Sequence, residues 1–377
     1  MNRAITHRAA VLGSPIGHSR SPLLHNTGYR AAGLEHWSYG RFECIAEQLP
    51  DLIGALDNSY RGFSVTMPAK FAALDFATER TDRAERIGSA NTLVRIGEGV
   101  HAGWRADNTD VDGVFGALAE LDVSASLMGA HATVIGGGGT ARPVLWALAS
   151  LGVAQVTVVN RTDRSEELAP LVETHGGRCT FVNYEAALRD LAEQSAVLVS
   201  TVPSVAIQDH VQDLAHTSVF DVIYEPWPTP LVTQTQRNGH KAVGGHVMLA
   251  NQAYGQFEQF TRVPAPREAM WQALQREMTG QLQLYRAKNT YIEITLQGVS
   301  KLTGIEAFLA HQKGITLGDA IAFGDNYNDQ EMLQAVGLGV AVANARDEVK
   351  AVANDTTHHH KEDGVARYLA KMFDIEL

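Results

Sequence analysis

A lysine at position 70 and an aspartate at position 110 stand where proton chemistry is possible. Lys70 ends Gly62-Phe-Ser64-Val65-Thr66-Met67-Pro68-Ala69-Lys70, two residues beyond a proline that closes a strand pattern, and so faces whatever the strand end faces. A lone lysine there would be a surface charge; the company it keeps argues otherwise. Asp110 ends Ala106-Asp107-Asn108-Thr109-Asp110, and Gly88-Ser-Ala-Asn91-Thr92 is a second run of small polar residues joining a strand region to a turn. Together these runs supply amides and a carboxylate suited to recognising hydroxyl groups. Upstream, Ser19-Arg-Ser21-Pro22-Leu-Leu-His25 opens a helix with two hydroxyls two residues apart. That arrangement either grips a carboxylate without committing a full positive charge or simply caps the helix.

A second constellation concerns a nucleotide. In Ala132-Thr-Val-Ile-Gly136-Gly137-Gly138-Gly139-Thr140-Ala141 an apolar strand runs straight into Gly136-x-Gly138-x-x-Ala141 and then a helix. Glycines at that spacing make the tight turn and let backbone approach a pyrophosphate, whose charge the helix N-terminus meets. The following strand ends in Thr157-Val-Val-Asn160-Arg161-Thr162, with Arg164 close behind. No carboxylate stands there for a ribose 2′-hydroxyl, and a guanidinium beside small polar side chains suits a 2′-phosphate, which predicts NADP.

The elements that must position these residues follow a βαβ rhythm, so the fold class is α/β. Ala9–Leu12, Trp37–Phe42, Gly62–Val65 and Ala90–Ile96 read as strands, with helices from Pro22, Ala46 and Pro68 onward. Ala132–Ile135, Val156–Val159, Thr180–Val182, Ala196–Val199 and Val219–Val222 read as the strands of a Rossmann unit, followed by helices over Met248–Phe260 and Pro266–Met278. The pattern predicts a substrate-binding domain over residues 1–112, completed by helices in 245–279, an NADP-binding domain over 113–244, and a separate segment over 280–377.

Composition limits the partners. With 42 acidic and 31 basic residues the net charge is −11, which argues against a nucleic-acid footprint and for a small-molecule substrate. Two cysteines, Cys44 and Cys179, build neither a disulfide framework nor a zinc site. The sequence near Met1 lacks the apolar run of a signal peptide, and no stretch is apolar enough for a membrane span, so a cytoplasmic monomer or homodimer is expected.

In their order along the chain, these segments resemble shikimate dehydrogenase over about residues 8–275. The resemblance implies that Lys70 and Asp110 form the catalytic pair, that Ser19 and Ser21 hold a substrate carboxylate, and that Thr66, Asn91 and Gln252 contact ring hydroxyls. Tyr224, in Asp221-Val-Ile-Tyr224-Glu-Pro-Trp-Pro-Thr229, matches the family's substrate-side tyrosine. On the cofactor side it implies Gly136 to Ala141, Asn160, Arg161, Thr162, Arg164 and Thr201, with Gly245 and Met248 lining the nicotinamide end. Ser64 departs from the family, which usually has Asn there, and its contact with substrate is in question. The implied reaction interconverts 3-dehydroshikimate and shikimate; quinate is the alternative substrate, and a degenerate binding module the non-enzymatic alternative.

The tail has a different character. Gly298-Val-Ser300-Lys301 leads a helix pattern, and Ala320-Ile-Ala-Phe-Gly324-Asp325-Asn-Tyr-Asn328-Asp329 runs from strand to loop to helix. Val340-Ala-Val-Ala-Asn344-Ala345 and Glu362-Asp363-Gly364-Val365 follow, and the whole resembles the C-terminal third of haloacid-dehalogenase-like phosphatases over about residues 290–372. That resemblance implies a phosphate site at Lys301 and Asn328 and Mg²⁺ at Asp325 and Asp329. The attacking aspartate of such enzymes has no counterpart in the tail. Its only look-alike, Asp110-Val-Asp112-Gly113-Val114, ends in Val where Thr is needed and follows a polar run that reads as no strand. An inactive tail is therefore expected, with a Mg²⁺-dependent phosphatase as the alternative. His358-His359-His360 reads as an exposed loop.

Overall fold

The computed structural model describes residues 4–97, 102–279, 282–288, 291–296, 300–310, 312 and 314–376. It divides into two compact units, Met1–Leu274 and Gln275–Leu377.

The larger unit holds two six-stranded sheets. The first is built from β1 (His7–Gly13), β2 (Trp37–Glu43), β3 (Tyr60–Val65), β4 (Glu79–Arg80), β5 (Thr92–Ile96) and β6 (Gly103–Asp107) in the order β2-β1-β3-β5-β6-β4. β1 runs parallel to both β2 and β3, whereas β5 is antiparallel to β3 and to β6. The second sheet, from β7 (His131–Ile135), β8 (Gln155–Val159), β9 (Arg178–Val182), β10 (Val197–Ser200), β11 (Val219–Asp221) and β12 (Ala242–Gly244), has the order β12-β11-β10-β7-β8-β9. All its pairings are parallel, and the order reverses between β7 and β10. Read from β7 this is the doubly wound 3-2-1-4-5-6 arrangement, whose crevice opens at the reversal. Val134, Val156, Val158, Val197, Val199 and Phe220 are fully buried in its core, as expected for parallel strands covered on both faces.

Three strands escape the periodicity. β6 alternates Trp104 and Ala106 with Arg105 and Asp107, β4 has two exposed residues, and β12 has three residues. β6 supplies the strand region that the run ending at Asp110 joins to its turn, although its polar residues kept it from reading as an apolar strand. Asp110 then opens the helix Asp110–Glu120 directly. The helix expected from Ala46 is a 3₁₀ turn, Ala46–Gln48, running into the helix Leu49–Ala55, and the one expected from Pro68 begins at Lys70. The β5 region starts at Thr92, which leaves Ala90 and Asn91 in the preceding turn.

The long helix Gly245–Thr261 lies directly against Asp110–Glu120. A Cβ at Gly113 would come within 2.7 Å of the Met248 carbonyl oxygen, so only glycine permits that approach. Its far end joins an aromatic cluster with the helix Ser21–Ala31. There His25 is fully buried, stacked at 4.2 Å on Tyr39, with Phe257 and Phe260 nearby. Burial pushes the imidazole down to about 3, against a weaker opposing contribution from Gln256.

In the smaller unit a hairpin, β13 (Leu282–Lys288) with β14 (Tyr291–Leu296), precedes a parallel three-stranded sheet of β15 (Ile321–Gly324), β16 (Leu338–Val342) and β17 (Asp355–Thr357). The helix Lys301–Leu309 is capped by Ser300, whose hydroxyl accepts from the Thr303 amide. Gly298 and Val299 lie outside the described residues.

His25 makes stability depend on pH in a definite direction. Because its folded-state value lies below its unfolded one, the unfolded chain binds the proton first, and stability falls as pH drops below about 6.5. At pH 5 the loss from this group is about 2 kcal/mol. His25→Phe, which keeps the stacking, should lose less melting temperature between pH 7 and pH 5 than the unmodified protein; equal losses would contradict the assignment.

Candidate functional site

The ends of β1, β3, β5 and β6 meet the N-terminal half of helix Gly245–Thr261 around a cavity of about 300 Å³. Its wall includes Ser19, Ser21, Ser64, Thr66, Lys70, Asn91, Asp110, Tyr224 and Gln252, together with Thr140, Gly245 and Met248 from the nucleotide side. The structure thus brings all the expected substrate-side residues into one place, although they span more than half the chain.

At its centre Lys70 Nζ donates to Asp110 Oδ2 at 2.5 Å, with both side chains only 10% exposed. Lys70 is held there because it opens the helix Lys70–Phe76 directly after the β3 turn; Asp110 is held because it opens its own helix. The other Asp110 oxygen accepts from Asn91 Nδ2 at 2.8 Å. Asn91 cannot turn over: its Oδ1 accepts from Thr92 Oγ1 at 2.8 Å, the Thr109 amide at 2.7 Å and Thr109 Oγ1 at 3.1 Å. Its amide hydrogens must therefore face Asp110 and Gln252, whose Oε1 is 3.5 Å away.

The serine pair does not cap its helix. Arg20 occupies the N-cap and makes no side-chain capping bond to the helix, and the Ser19 hydroxyl accepts from the Ser21 amide at 3.4 Å. Ser19 and Ser21 both line the cavity, with Tyr224 also on its wall. Burial raises the Tyr224 phenol, which keeps it a neutral donor.

Ser64 is tied into a buried chain. Tyr39 donates to Ser64 Oγ at 2.5 Å, Ser64 donates to Gln256 Oε1 at 2.6 Å, and Gln256 Nε2 donates to the Asn91 carbonyl and Thr92 Oγ1 at 3.0 and 3.1 Å. The single proton of Ser64 is spent on Gln256, so toward the cavity it can only accept. Gln256 was not singled out from sequence; its position one helical turn beyond Gln252 on the same face was the available signal.

The nucleotide side is built on the turn after β7. Gly136 has φ +99°, and a Cβ there would lie 2.6 Å from the Thr201 hydroxyl oxygen, so a side chain fails on both counts. Thr201 follows β10 directly and fastens both its amide and hydroxyl to the Ile135 carbonyl. Beyond β8, Asn160 Nδ2 donates to the Thr162 carbonyl at 2.7 Å and Arg161 is exposed. Arg164 donates to the Gly137 carbonyl at 2.6 Å and pairs with Glu167 at 2.5 Å, which ties the glycine turn to the loop beyond β8. Among these residues no carboxylate is placed for a ribose 2′-hydroxyl.

In the smaller unit Lys301 Nζ donates to Asp329 Oδ1 at 2.5 Å, while Asp329 Oδ2 accepts from the Asp325 and Asn326 amides at 2.8 and 3.0 Å. Asp329 is thus occupied by an ammonium and two amides, and Asp325 accepts from Asn344 Nδ2 at 3.3 Å. Among the described residues no three metal-binding side chains converge, and His359 and His360 merely stack on each other at 4.4 Å. Asp325 and Asp329, the expected Mg²⁺ pair, both lie on this loop, and Lys301 pairs with one oxygen of Asp329. Among the described residues no helix is long and apolar enough to cross a membrane.

A doubly wound nucleotide-binding sheet beside a second α/β sheet, with the cavity at the strand ends, defines a two-domain protein of the dinucleotide-binding class. Family models described as shikimate dehydrogenase substrate binding domain and shikimate/quinate 5-dehydrogenase match residues 11–93 and 117–222. Shikimate dehydrogenase (NADP(+)) of Methylobacterium radiotolerans is 37% identical over 272 residues, covering 70% of this chain and 93% of that protein. The crystal structure of Mycobacterium tuberculosis shikimate dehydrogenase is 48% identical, covers 71% of this chain and 99% of that one, and superposes with a TM-score of 0.66. The chain belongs to the shikimate dehydrogenase family. It is also 33% identical over 284 residues to the pentafunctional AROM polypeptide of Saccharomyces cerevisiae, of whose length it spans 18%. A model described as haloacid dehalogenase-like hydrolase matches residues 256–369, reaching back into the helix Gly245–Thr261.

Proposed function

We propose that the larger unit is an NADP-dependent shikimate dehydrogenase that reversibly reduces 3-dehydroshikimate, with residues 1–112 and 245–279 forming the substrate domain and 113–244 the nucleotide domain. The observation that carries this reading is the buried Lys70–Asp110 pair in a cavity ringed by hydroxyls and amides and bordered by Gly245 and Met248. NADP fits the residues present: the glycine turn leaves bare backbone before the helix Ala141–Ser150, and Asn160, Arg161 and Thr162 stand where a 2′-phosphate would lie. The nicotinamide supplies or takes up the hydride when bound.

The remaining work falls to the chain. Lys70 donates a proton to the oxygen of the ring carbonyl as charge develops there, and takes it back in the oxidative direction. Asp110 accepts a hydrogen bond from the Lys70 ammonium and so fixes the direction of the remaining N–H groups. The Ser19 and Ser21 hydroxyls and Tyr224 receive the substrate carboxylate, and Thr66, Asn91 and Gln252 read ring hydroxyls. Ser64 only accepts, so the direct amide contact of an Asn at that position is replaced by the Ser64–Gln256 link. The small substrate fits the site's size, and nothing in the chain's acidic charge favours a nucleic acid.

The tail is read as a phosphatase remnant without its nucleophile. Asp110, the only look-alike, is already bonded to Lys70 and Asn91. We expect no hydrolysis of p-nitrophenyl phosphate or small sugar phosphates in the presence of Mg²⁺; turnover that disappears with Asp325→Ala would show an active phosphatase.

Two measurements test the dehydrogenase. Shikimate-dependent reduction of NADP should be robust in the purified chain, and Lys70→Ala and Asp110→Ala should each lower kcat by about 10²–10⁴-fold while NADP affinity is nearly unchanged. Quinate turnover exceeding that of shikimate would favour the alternative substrate, and near wild-type rates in either variant would remove the pair from the chemistry. The unmodified enzyme should also prefer NADP strongly over NAD, with Arg161→Ala raising KM for NADPH far more than for NADH. Equal use of both nucleotides would contradict the 2′-phosphate reading.

A further inference from the structure

A second charge cluster, unused by the chemistry above, grips the chain on both sides of Asp110. Arg83, on the helix Asp82–Ile87, donates Nε to Asp107 Oδ1 at 2.7 Å and Nη2 to Asp107 Oδ2 at 2.6 Å. The same guanidinium reaches Asp112, Nη1 to Oδ1 at 2.8 Å and Nη2 to Oδ2 at 3.1 Å. Asp107 is the last residue of β6, and Asp112 lies in the first turn of the helix that Asp110 opens. Asp107 is only 5% exposed at its side chain, and it also accepts from Thr81 Oγ1, the Asn108 amide and Gln259 Nε2 at 2.7, 2.8 and 2.7 Å. One cation therefore spans the turn that carries Asp110, and Asp107 at one end of that span is also held by the long helix through Gln259.

We propose that Arg83 is the positioning residue of the Lys70–Asp110 pair, fixing the turn 107–112 so that Asp110 Oδ2 meets Lys70; this rests on the catalytic reading above. The geometry requires arginine. Its three nitrogens make four bonds to two carboxylates, which a lysine ammonium cannot reproduce. Without it Asp107 and Asp112 face each other as uncompensated negative charges and the turn between them is pushed apart. Asn91 alone, through the Thr109 amide and Asp110 Oδ1, then has to hold the aspartate. Displacing an acid–base group by about 1 Å costs on the order of 10²-fold in rate.

Arg83→Ala and Arg83→Lys are to be compared with the unmodified chain in shikimate-dependent NADP reduction, with NADP affinity measured by fluorescence titration. The expected result for Arg83→Ala is a kcat lower by about 10–100-fold with NADP affinity unchanged, and a larger primary deuterium isotope effect from C-deuterated substrate because the chemical step becomes limiting. Arg83→Lys should recover only part of the loss, since charge returns without the fork. A folded Arg83→Ala with kcat within about twofold of the unmodified enzyme would overturn the proposal, as would loss of NADP binding in parallel with kcat. If Arg83→Ala does not fold, Asp112→Asn, which releases one arm at a partly exposed residue, should show the same split on a smaller scale, and an unchanged kcat there would overturn it. A crystal structure of the variant supplies a readout free of turnover: the Lys70–Asp110 contact should be broken, and an intact contact would sink the proposal. Absence of shikimate turnover in the unmodified chain would instead refute the assigned reaction and leave the structural comparison to decide the role of Arg83.

Discussion

A lysine and an aspartate buried together form the constraint around which the larger unit is organised. Removing either charge from water costs several kcal/mol, and their attraction offsets this only when geometry is good and the remaining polar atoms are satisfied. The structure meets both conditions through backbone placement. Each residue opens a helix, each helix follows a strand of the same sheet, and the strands on which they depend are joined through β5, whose approach carries Asn91. The pair is thus a consequence of sheet order: β3-β5-β6 adjacency brings residues forty positions apart into one hydrogen bond.

Around this pair lies a shell of amides and hydroxyls with little freedom. Asn91 has its oxygen filled three times over, which dictates where its hydrogens go, and Gln256 links that asparagine's carbonyl to Ser64 and Tyr39. Such a connected network, buried and satisfied, defines one arrangement where isolated polar groups would allow several. The close approach of helix Gly245–Thr261 at Gly113 completes it by bringing Gln252 and Gln256 to the same wall as Asp110.

What was legible in the sequence divides along physical lines. The strands of the nucleotide-binding sheet are covered on both faces and therefore read as continuous apolar runs, so all but the three-residue β12 were visible. β6 was missed because its polar members, Arg105 and Asp107, interrupt the apolar run and reach partners more than twenty positions away, which no local pattern records. Lys70, Asp110 and Asn91 were found because each sits among small residues at a strand end, where side chains with polar groups have a structural reason to converge. Arg83 and Gln256 were not, since each sits on a helix and its role depends on tertiary neighbours. The same limit applies to Asp329: its contact with Lys301, twenty-eight positions away, is visible only in the fold.

In the smaller unit the motif residues are also packed as structure. Asp329 is 2% exposed, and its two oxygens answer the Lys301 ammonium and the two amides that open the loop after β15. A side chain at Gly324 would come within 2.5 Å of the Asp329 Cβ, so strand, loop and carboxylate are packed as one piece. In that setting Lys301 and Asp329 satisfy each other and the backbone regardless of whether any phosphate arrives. Replacing either partner would leave a buried carboxylate or its amides unpaired. The two Lys–Asp pairs differ in setting: Lys301–Asp329 closes a loop on its own backbone, whereas Lys70–Asp110 lines a cavity with hydroxyls and amides around it.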